Sequence, residues 1–227
     1  MTTHQQACRT ALVTAALLAC ALSIGAAGAS AQESGESSLE LGLWKRISAT
    51  EMIYVPLAVT RADEVDHAEG LAGASYDRVF GRRLSARAGY RYSWELSPPS
   101  DTVPYREHRA VAEMTALPWP DARIPLLDRT RLELRWIDGA PSWRLRNRIR
   151  AEKTIAIGHA RTLTPYSAFE GGYDSRYHTI NRLRLSVGGA TKLSSLVMVD
   201  TYAARQRDSR SDAATLLSVG MTLNLVF

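Results

Sequence analysis

The chain ends on Leu217-Ser218-Val219-Gly220-Met221-Thr222-Leu223-Asn224-Leu225-Val226-Phe227. Leu217, Val219, Met221, Leu223, Leu225 and Phe227 take the odd positions, while Ser218, Gly220, Thr222 and Asn224 take even ones. A period of two places the first set on one face of a β-strand and the second on the other. The strand therefore has an apolar face and a polar face, and its aromatic last residue ends the polypeptide.

The same alternation recurs upstream. Leu84, Ala86, Ala88, Tyr90, Tyr92, Trp94 and Leu96 share one face, against Arg83, Ser85, Arg87, Gly89, Arg91, Ser93 and Glu95, until the loop Ser97-Pro98-Pro99-Ser100-Asp101. The runs Leu127 to Ile137 and Ser142 to Lys153, joined by Asp138-Gly139-Ala140-Pro141, form the clearest hairpin. Its outer face carries Leu132, Leu134, Trp136, Trp143, Leu145, Ile149 and Ala151. Its inner face carries Arg129, Arg131, Glu133, Arg135, Arg144, Arg146, Arg148, Arg150 and Glu152.

Further strand-like runs are Leu39 to Trp44, Ile53 to Val59, Leu71 to Val79, Tyr105 to Leu117, Leu163 to Tyr173, Tyr177 to Gly189 and Ser195 to Gln206. Pro56 cannot donate to a ladder, which puts its run near an edge, a bulge or a seam. Gln32 to Ser38 is a polar lead, Arg61 to Gly70 an acidic loop and Arg207 to Asp212 a charged connection. With the closing strand, eleven runs emerge. Bacterial single-chain barrels close with an even number, so the expectation is about ten strands, with the Leu39 segment outside the wall, or twelve with one run overlooked.

The amino terminus has the layout of an export signal: Arg9, an apolar run from Ala11 to Ile24, then Ala29-Ser30-Ala31 before Gln32. Both cysteines, Cys8 and Cys20, fall inside it, so the mature chain has no thiol or disulfide chemistry. Leu17-Leu18-Ala19-Cys20 also reads as a lipoprotein box, but apolar sequence follows Cys20 where a polar tether belongs. Of 28 basic residues only Arg9 is in this segment, which leaves a mild excess over 23 acids. Export makes nucleic acid an unsuitable partner. No later apolar run spans a bilayer as a helix, so two classes remain, a soluble periplasmic β domain or a membrane barrel.

Alternation alone does not separate these classes. Aromatic placement helps: Trp136 and Trp143 flank one turn, Tyr90, Tyr92 and Trp94 approach the Pro98 loop, and Tyr173 and Tyr177 flank the turn at Asp174. If the strands run up and down, these loops share one end, as an interfacial aromatic girdle requires. The closing strand looks like that of a bacterial outer-membrane barrel, and Ser218, Gly220, Leu223, Leu225 and Phe227 resemble the signal read by the barrel-assembly machinery.

Short motifs extend the likeness along the chain. Gly89-Tyr90-Arg91-Tyr92, Arg106 to Arg109, Asp128-Arg129 through Leu132-Glu133, and Leu145-Arg146-Asn147-Arg148-Ile149-Arg150 occur in order. Thr164-Pro165-Tyr166 with Glu170, and Arg182-Leu183-Arg184, follow them. In these the chain resembles an uncharacterised bacterial outer-membrane family, domain of unknown function 2490, over roughly Leu41 to Phe227. The resemblance implies an outer-membrane barrel and no activity.

The lumen is expected to be lined by the inner-face residues of the hairpin together with Glu170, Arg182 and Arg184. Like charges so close destabilise unless acids or anions intervene. Glu133, Glu152 and Glu170 are the natural partners there, with Glu95, Glu107 and Glu113 serving Arg83, Arg87, Arg91 and Arg109. Two readings follow, a salt-bridged filling of a small barrel or a cationic constriction selecting anionic solutes.

Outer-membrane lipid-modifying enzymes carry a His and a Ser two residues apart on one strand face. Here His67, His108, His159 and His178 are followed two residues on by Glu69, Ala110, Arg161 and Ile180, which does not fit. Asp63, Glu64, Asp66, His67 and Glu69 offer oxygen ligands, but without the spacing or glycine of a calcium loop they read as a solvated surface. No catalytic set, metal site or cofactor motif stands out. The reading is an all-β chain with a signal peptide over 1–31, a polar lead over 32–38 and a closed antiparallel transmembrane β-barrel with an Arg-rich lumen over 39–227. Its expected partners are outer-membrane lipid, the barrel-assembly machinery and anionic solutes. Its expected role is that of a small passive pore or an envelope structural protein, with a lipid-modifying enzyme or a soluble periplasmic ligand-binding barrel as alternatives.

Overall fold

A computed structural model of the chain describes residues 33–62, 67–96, 98, 104–158, 161–208 and 215–227. The export signal, Asp63, Glu64 and Asp66 of the acidic loop, and His159 lie outside the described residues. The strands are β1 (Glu33–Arg46), β2 (Glu51–Ala62), β3 (His67–Phe80), β4 (Leu84–Glu95), β5 (Arg106–Ala116) and β6 (Leu126–Ile137). They continue as β7 (Ala140–Glu152), β8 (Ile155–Ala156), β9 (Thr162–Asp174), β10 (Thr179–Lys192), β11 (Val197–Asp208) and β12 (Thr215–Val226). No helix among the described residues is long and apolar enough to cross a membrane, which says nothing against crossing by strands.

Each long strand pairs antiparallel with the next, and the ring closes where β12 meets β1. The short β8 resumes the line of β7 after Lys153 and Thr154, pairing Ile155 with Leu163 of β9. The wall is thus a closed barrel of eleven strands. This lies between the expected numbers, about ten with the Leu39 segment set aside or twelve with one run overlooked. Instead that segment is in the wall, and its polar lead from Glu33 onward is already strand, since β1 pairs with both β2 and β12.

An odd count has a geometric consequence. Strands that alternate in direction leave the first and the eleventh running the same way, so closure is parallel, from Glu33↔Thr215 to Trp44↔Val226. All other pairings in the wall are antiparallel, as expected.

Parallel ladders are slightly weaker per residue, and this seam carries extra fastening. Arg46 N donates to Phe227 O at 2.9 Å and Phe227 N to Trp44 O at 2.9 Å. Inside the barrel Trp44 Nε1 donates to Asn224 Oδ1 at 2.8 Å and the indole stacks on Tyr54 at 4.2 Å. A Cβ at Gly42 would sit 2.5 Å from Asn224 Oδ1, so only glycine leaves room for this clip.

Pro56, which is fully buried, sits where the β2–β3 ladder skips from Tyr54↔Ser75 to Leu57↔Ala72, one strand from the seam. The β6–β7 turn is tighter than expected, only Asp138 (φ 49°) and Gly139 (φ 86°) lying between the strands. Two positive φ values in a two-residue loop match the right-handed twist of a hairpin, and Asp-Gly tolerates them best. Several strands also run beyond their apolar core. Arg61–Ala62 and His67–Gly70 are strand where the acidic loop was expected, and β11 continues to Asp208. Polarity marks where an apolar band ends, not where hydrogen bonding ends.

Outward faces are mainly apolar and exposed: Leu185 is 54% exposed, Phe169 51% and Ile149 48%. Inward faces are polar and buried, Glu133 and Asp174 being 0% exposed. A globular β-sandwich would show the reverse.

Candidate functional site: an arginine–carboxylate interior

Because β5, β6, β7, β9 and β10 are neighbours, their even-spaced charged side chains converge on one wall of the interior. In the half remote from the C-terminus most of the carboxylates serve two or more arginines, although Glu133 Oε2 accepts no hydrogen bond among the described residues. Glu107 accepts from Tyr105, Arg109 and Arg135. Asp174 accepts from Arg135 Nη1 at 2.8 Å, from Arg144 Nη2 at 2.8 Å and from the Arg176 backbone at 3.0 Å. Glu133 is ringed by Arg146 at 3.4 Å, Arg131 at 3.6 Å and Arg144 at 3.9 Å.

These contacts follow from register. Arg131 and Arg146 stand directly opposite one another on β6 and β7, as do Arg109 and Arg135 on β5 and β6. Each such pair would repel, and a carboxylate shared between its members turns repulsion into attraction. Arg135 reaches past β7 to Asp174 on β9, and Arg129 reaches Glu170 on β9 at 3.3 Å. Such links to the strand after next bind the wall more tightly than neighbour ladders alone.

Toward the C-terminal end the service is thinner. A cavity of about 270 Å³ is lined by Arg87, Arg129, Arg148 and Arg150 with Glu113, Glu152, Thr115 and Leu127. Arg87 Nε holds Asp77 at 2.8 Å. Arg150 holds Glu152 at 2.7 Å and lies 3.6 Å from the Tyr166 ring centre, whose hydroxyl donates to Asp200 at 2.8 Å. Glu113 makes its short bond to Arg131, at 2.6 Å, and reaches Arg129 only at 3.8 Å. Glu170 is drawn to Arg146. Arg148 is left with no ion pair or hydrogen bond among the described residues.

All twelve residues expected to line the lumen are on the inward face: Arg129, Arg131, Glu133, Arg135, Arg144, Arg146, Arg148, Arg150, Glu152, Glu170, Arg182 and Arg184. Their partners are redistributed. Arg87 takes Asp77 rather than a glutamate, and Glu113 serves Arg131 and Arg129 on the next strand. Arg182 takes Asp208 at 3.0 Å, while Arg184 bonds Ser218 at 3.1 Å. Asp77, Asp174, Asp200 and Asp208 were overlooked, Asp174 as a turn residue and Asp208 as a loop residue. The signal for Asp174 was present, since it shares the parity of Glu170 on β9.

The aromatic residues of the expected girdle gather at the end remote from the C-terminus. Tyr92 stacks on Trp94 at 5.6 Å, Trp143 on Tyr173 at 5.2 Å, and Tyr177 lies in the turn after β9. Trp136 is outward and half exposed, and Tyr90 bonds His108 on the same outer face. His108 thus has tyrosines for neighbours, at 4.9 Å from Tyr92 and beside Tyr90. His178 occupies the β9–β10 turn with a φ of 53°. Of the assembly-signal residues, Phe227 is exposed on the outer face in step with Leu223 and Leu225, while Gly220 faces inward under Tyr202, whose ring would lie 2.4 Å from a Cβ there. No group of three or more metal-ligating side chains occurs among the described residues.

Comparison with known proteins gives a family. No curated protein matches. Two solved structures of one protein are similar in outline: the outer-membrane expressed OmpT of Vibrio cholerae and its in-vitro folded form, an outer membrane protein. Each has a TM-score of 0.35 and 12% identity over 69% of this chain. The matched part is 54% and 53% of those chains, so this chain corresponds to about half their length. Residues 60–216 match the family described as "Protein of unknown function (DUF2490)", and the chain belongs to that family.

Proposed function

We propose that the protein is an outer-membrane β-barrel whose arginine-lined interior passes small anionic or polar solutes. Supporting insertion, the outer face is mainly apolar, interrupted on β6 and β7 by the mutually bonded Asp128, Thr130 and Asn147, and has aromatic rings gathered at one end, the arrangement a bilayer and its headgroup layer favour. The reading also includes export by a cleaved signal peptide and assembly through the Phe227 strand. The observation that carries the anion preference is the C-terminal-end cavity, where four arginines face two glutamates. A positive lining in a low-dielectric wall raises the local concentration of anions and repels cations.

Vesicles enclosing a chloride-sensitive dye test this directly. Barrel-containing vesicles should equilibrate chloride faster than empty ones and potassium much more slowly. Equal or faster potassium entry would remove the anion reading.

A second reading has its own observation. Glu107, Glu133 and Asp174 are at most 1% exposed and tied to several guanidiniums each, which is how a filled, structural barrel would be built. In that case the vesicles stay sealed to both ions. We read the chain as non-catalytic; release of acyl chains from outer-membrane lipid by the purified protein, lost in His108→Ala, would reverse that.

A further inference from the structure

We infer that the C-terminal-end cavity is a binding site for a small multivalent oxyanion of the phosphate class, held between Arg129 and Arg148. This deepens the anion reading above, since it requires the interior to admit anions, but it does not require conduction.

Register carries the first step. Arg129 and Arg148 are direct cross-strand partners on β6 and β7, with like charges opposed on the same inward face. Side chains so placed have Cβ atoms about 4.5–5.5 Å apart, close enough for the charges to oppose one another unless something negative lies between them. For the neighbouring opposed pair, Arg131 and Arg146, that something is Glu133, at 3.6 and 3.4 Å. For Arg129 and Arg148 the sharing is incomplete: Glu170 bonds Arg129 at 3.3 Å but makes no hydrogen bond to Arg148.

Glu170 is the natural candidate, because it is the register partner of Arg148 on β9. Its carboxylate instead bonds Arg146 and, at 3.3 Å, Arg129. The other acid near Arg129, Glu113, is committed to Arg131 at 2.6 Å. The barrel has thus committed its acids to other arginines and left Arg148 without a bonded acid at the wall of a cavity, opposite an Arg129 held by Glu170 and Glu113 on one side.

The remaining lining defines the occupant. The cavity is about 270 Å³ and also presents Arg87, Arg150 and the hydroxyl-bearing Thr115. That space has room for an ion of a few heavy atoms with some hydration. Two guanidiniums present planar forks of donors, which match the spaced oxygens of a phosphate and offer little geometric advantage to a spherical halide. Glu113 and Glu152 at the margin disfavour a second anion. An oxyanion between Arg129 and Arg148 would complete the pattern that Glu133 completes one layer away.

The test is calorimetric titration of inorganic phosphate into the detergent-refolded barrel in chloride buffer, beside Arg148→Gln, Arg129→Gln and, as a control, Arg46→Gln at the exposed end of β1. Phosphate should bind the parent and the control alike and bind Arg148→Gln at least about tenfold more weakly, the loss of one charge-assisted bond. Circular dichroism and heat-modifiable gel mobility check that each variant is folded, and Arg129→Gln serves if Arg148→Gln is not. Unchanged phosphate binding in both variants, or no binding by a parent that does pass chloride, would overturn the site while leaving the anion conduit standing. Phosphate binding by a barrel that passes no ion would uphold the site and end the conduit reading.

Discussion

The two halves of the interior are made of the same residues and differ in how those residues are satisfied. Remote from the C-terminus, the opposed pairs Arg109–Arg135 and Arg131–Arg146 each share a carboxylate, and Glu133, Glu107 and Asp174 are closed off from solvent. Near the C-terminus the same β6–β7 ladder continues one layer further, the carboxylates have been drawn away, and a cavity opens beside Arg148. Burying an ion pair costs desolvation that only good geometry and extra hydrogen bonds offset. Around Glu107 and Asp174 the first half meets that condition and so behaves as framework. The second does not meet it without a ligand, which is what a binding or conducting region requires.

The contrast breaks most visibly at Glu133. Glu133→Gln leaves Arg131, Arg144 and Arg146 facing one another without their shared acid, and removing one member of a buried pair costs about 3–5 kcal/mol. A large fall in the urea midpoint of the lipid-inserted barrel should follow. Wild-type stability in this variant would show that the network is hydrated and not framework.

Arg146→Gln and Arg148→Gln sharpen the comparison, since they sit two residues apart on the same face of β7. Arg146 bonds Glu170 and lies 3.4 Å from Glu133, so its loss should cost about 2 kcal/mol or more. Arg148 has no such partner, and its loss should change stability by less than about 0.5 kcal/mol, with relief of its opposition to Arg129. Equal costs at the two sites would erase the distinction between the halves.

Selectivity should respond in the opposite sense to stability. Changing Arg146 and Arg148 together to Ser should weaken the preference for anions, and unchanged selectivity would remove both from the path. A smaller effect concerns the membrane: Trp94, Trp136 and Trp143 should be quenched by lipids brominated near the headgroup more than by those brominated at the chain ends. The reverse order would displace the girdle from the interface.

Much of this was legible in the sequence because a barrel wall writes itself with a period of two. The inward or outward assignment of β4, β6, β7 and the closing strand follows from parity alone, as does the meeting of the aromatic rings at one end. Strand number was harder, because a rule of even closure outweighed a correct count of eleven runs. Glu33 to Ser38 looks like a tail, and only its pairing with β12 shows otherwise. Ion partners were the least legible. Arg135 chooses Asp174 two strands away over nearer acids, and Glu170 passes over its own register partner; such choices depend on side-chain reach across the interior, which no local pattern records.

The most direct test is single-channel recording from the refolded barrel in a planar bilayer under a gradient of KCl. Discrete current steps with a reversal potential displaced toward that of chloride are the predicted result, with the displacement reduced in the Arg146→Ser, Arg148→Ser pair. Steps that favour potassium, or a barrel that inserts and never conducts, would contradict the account.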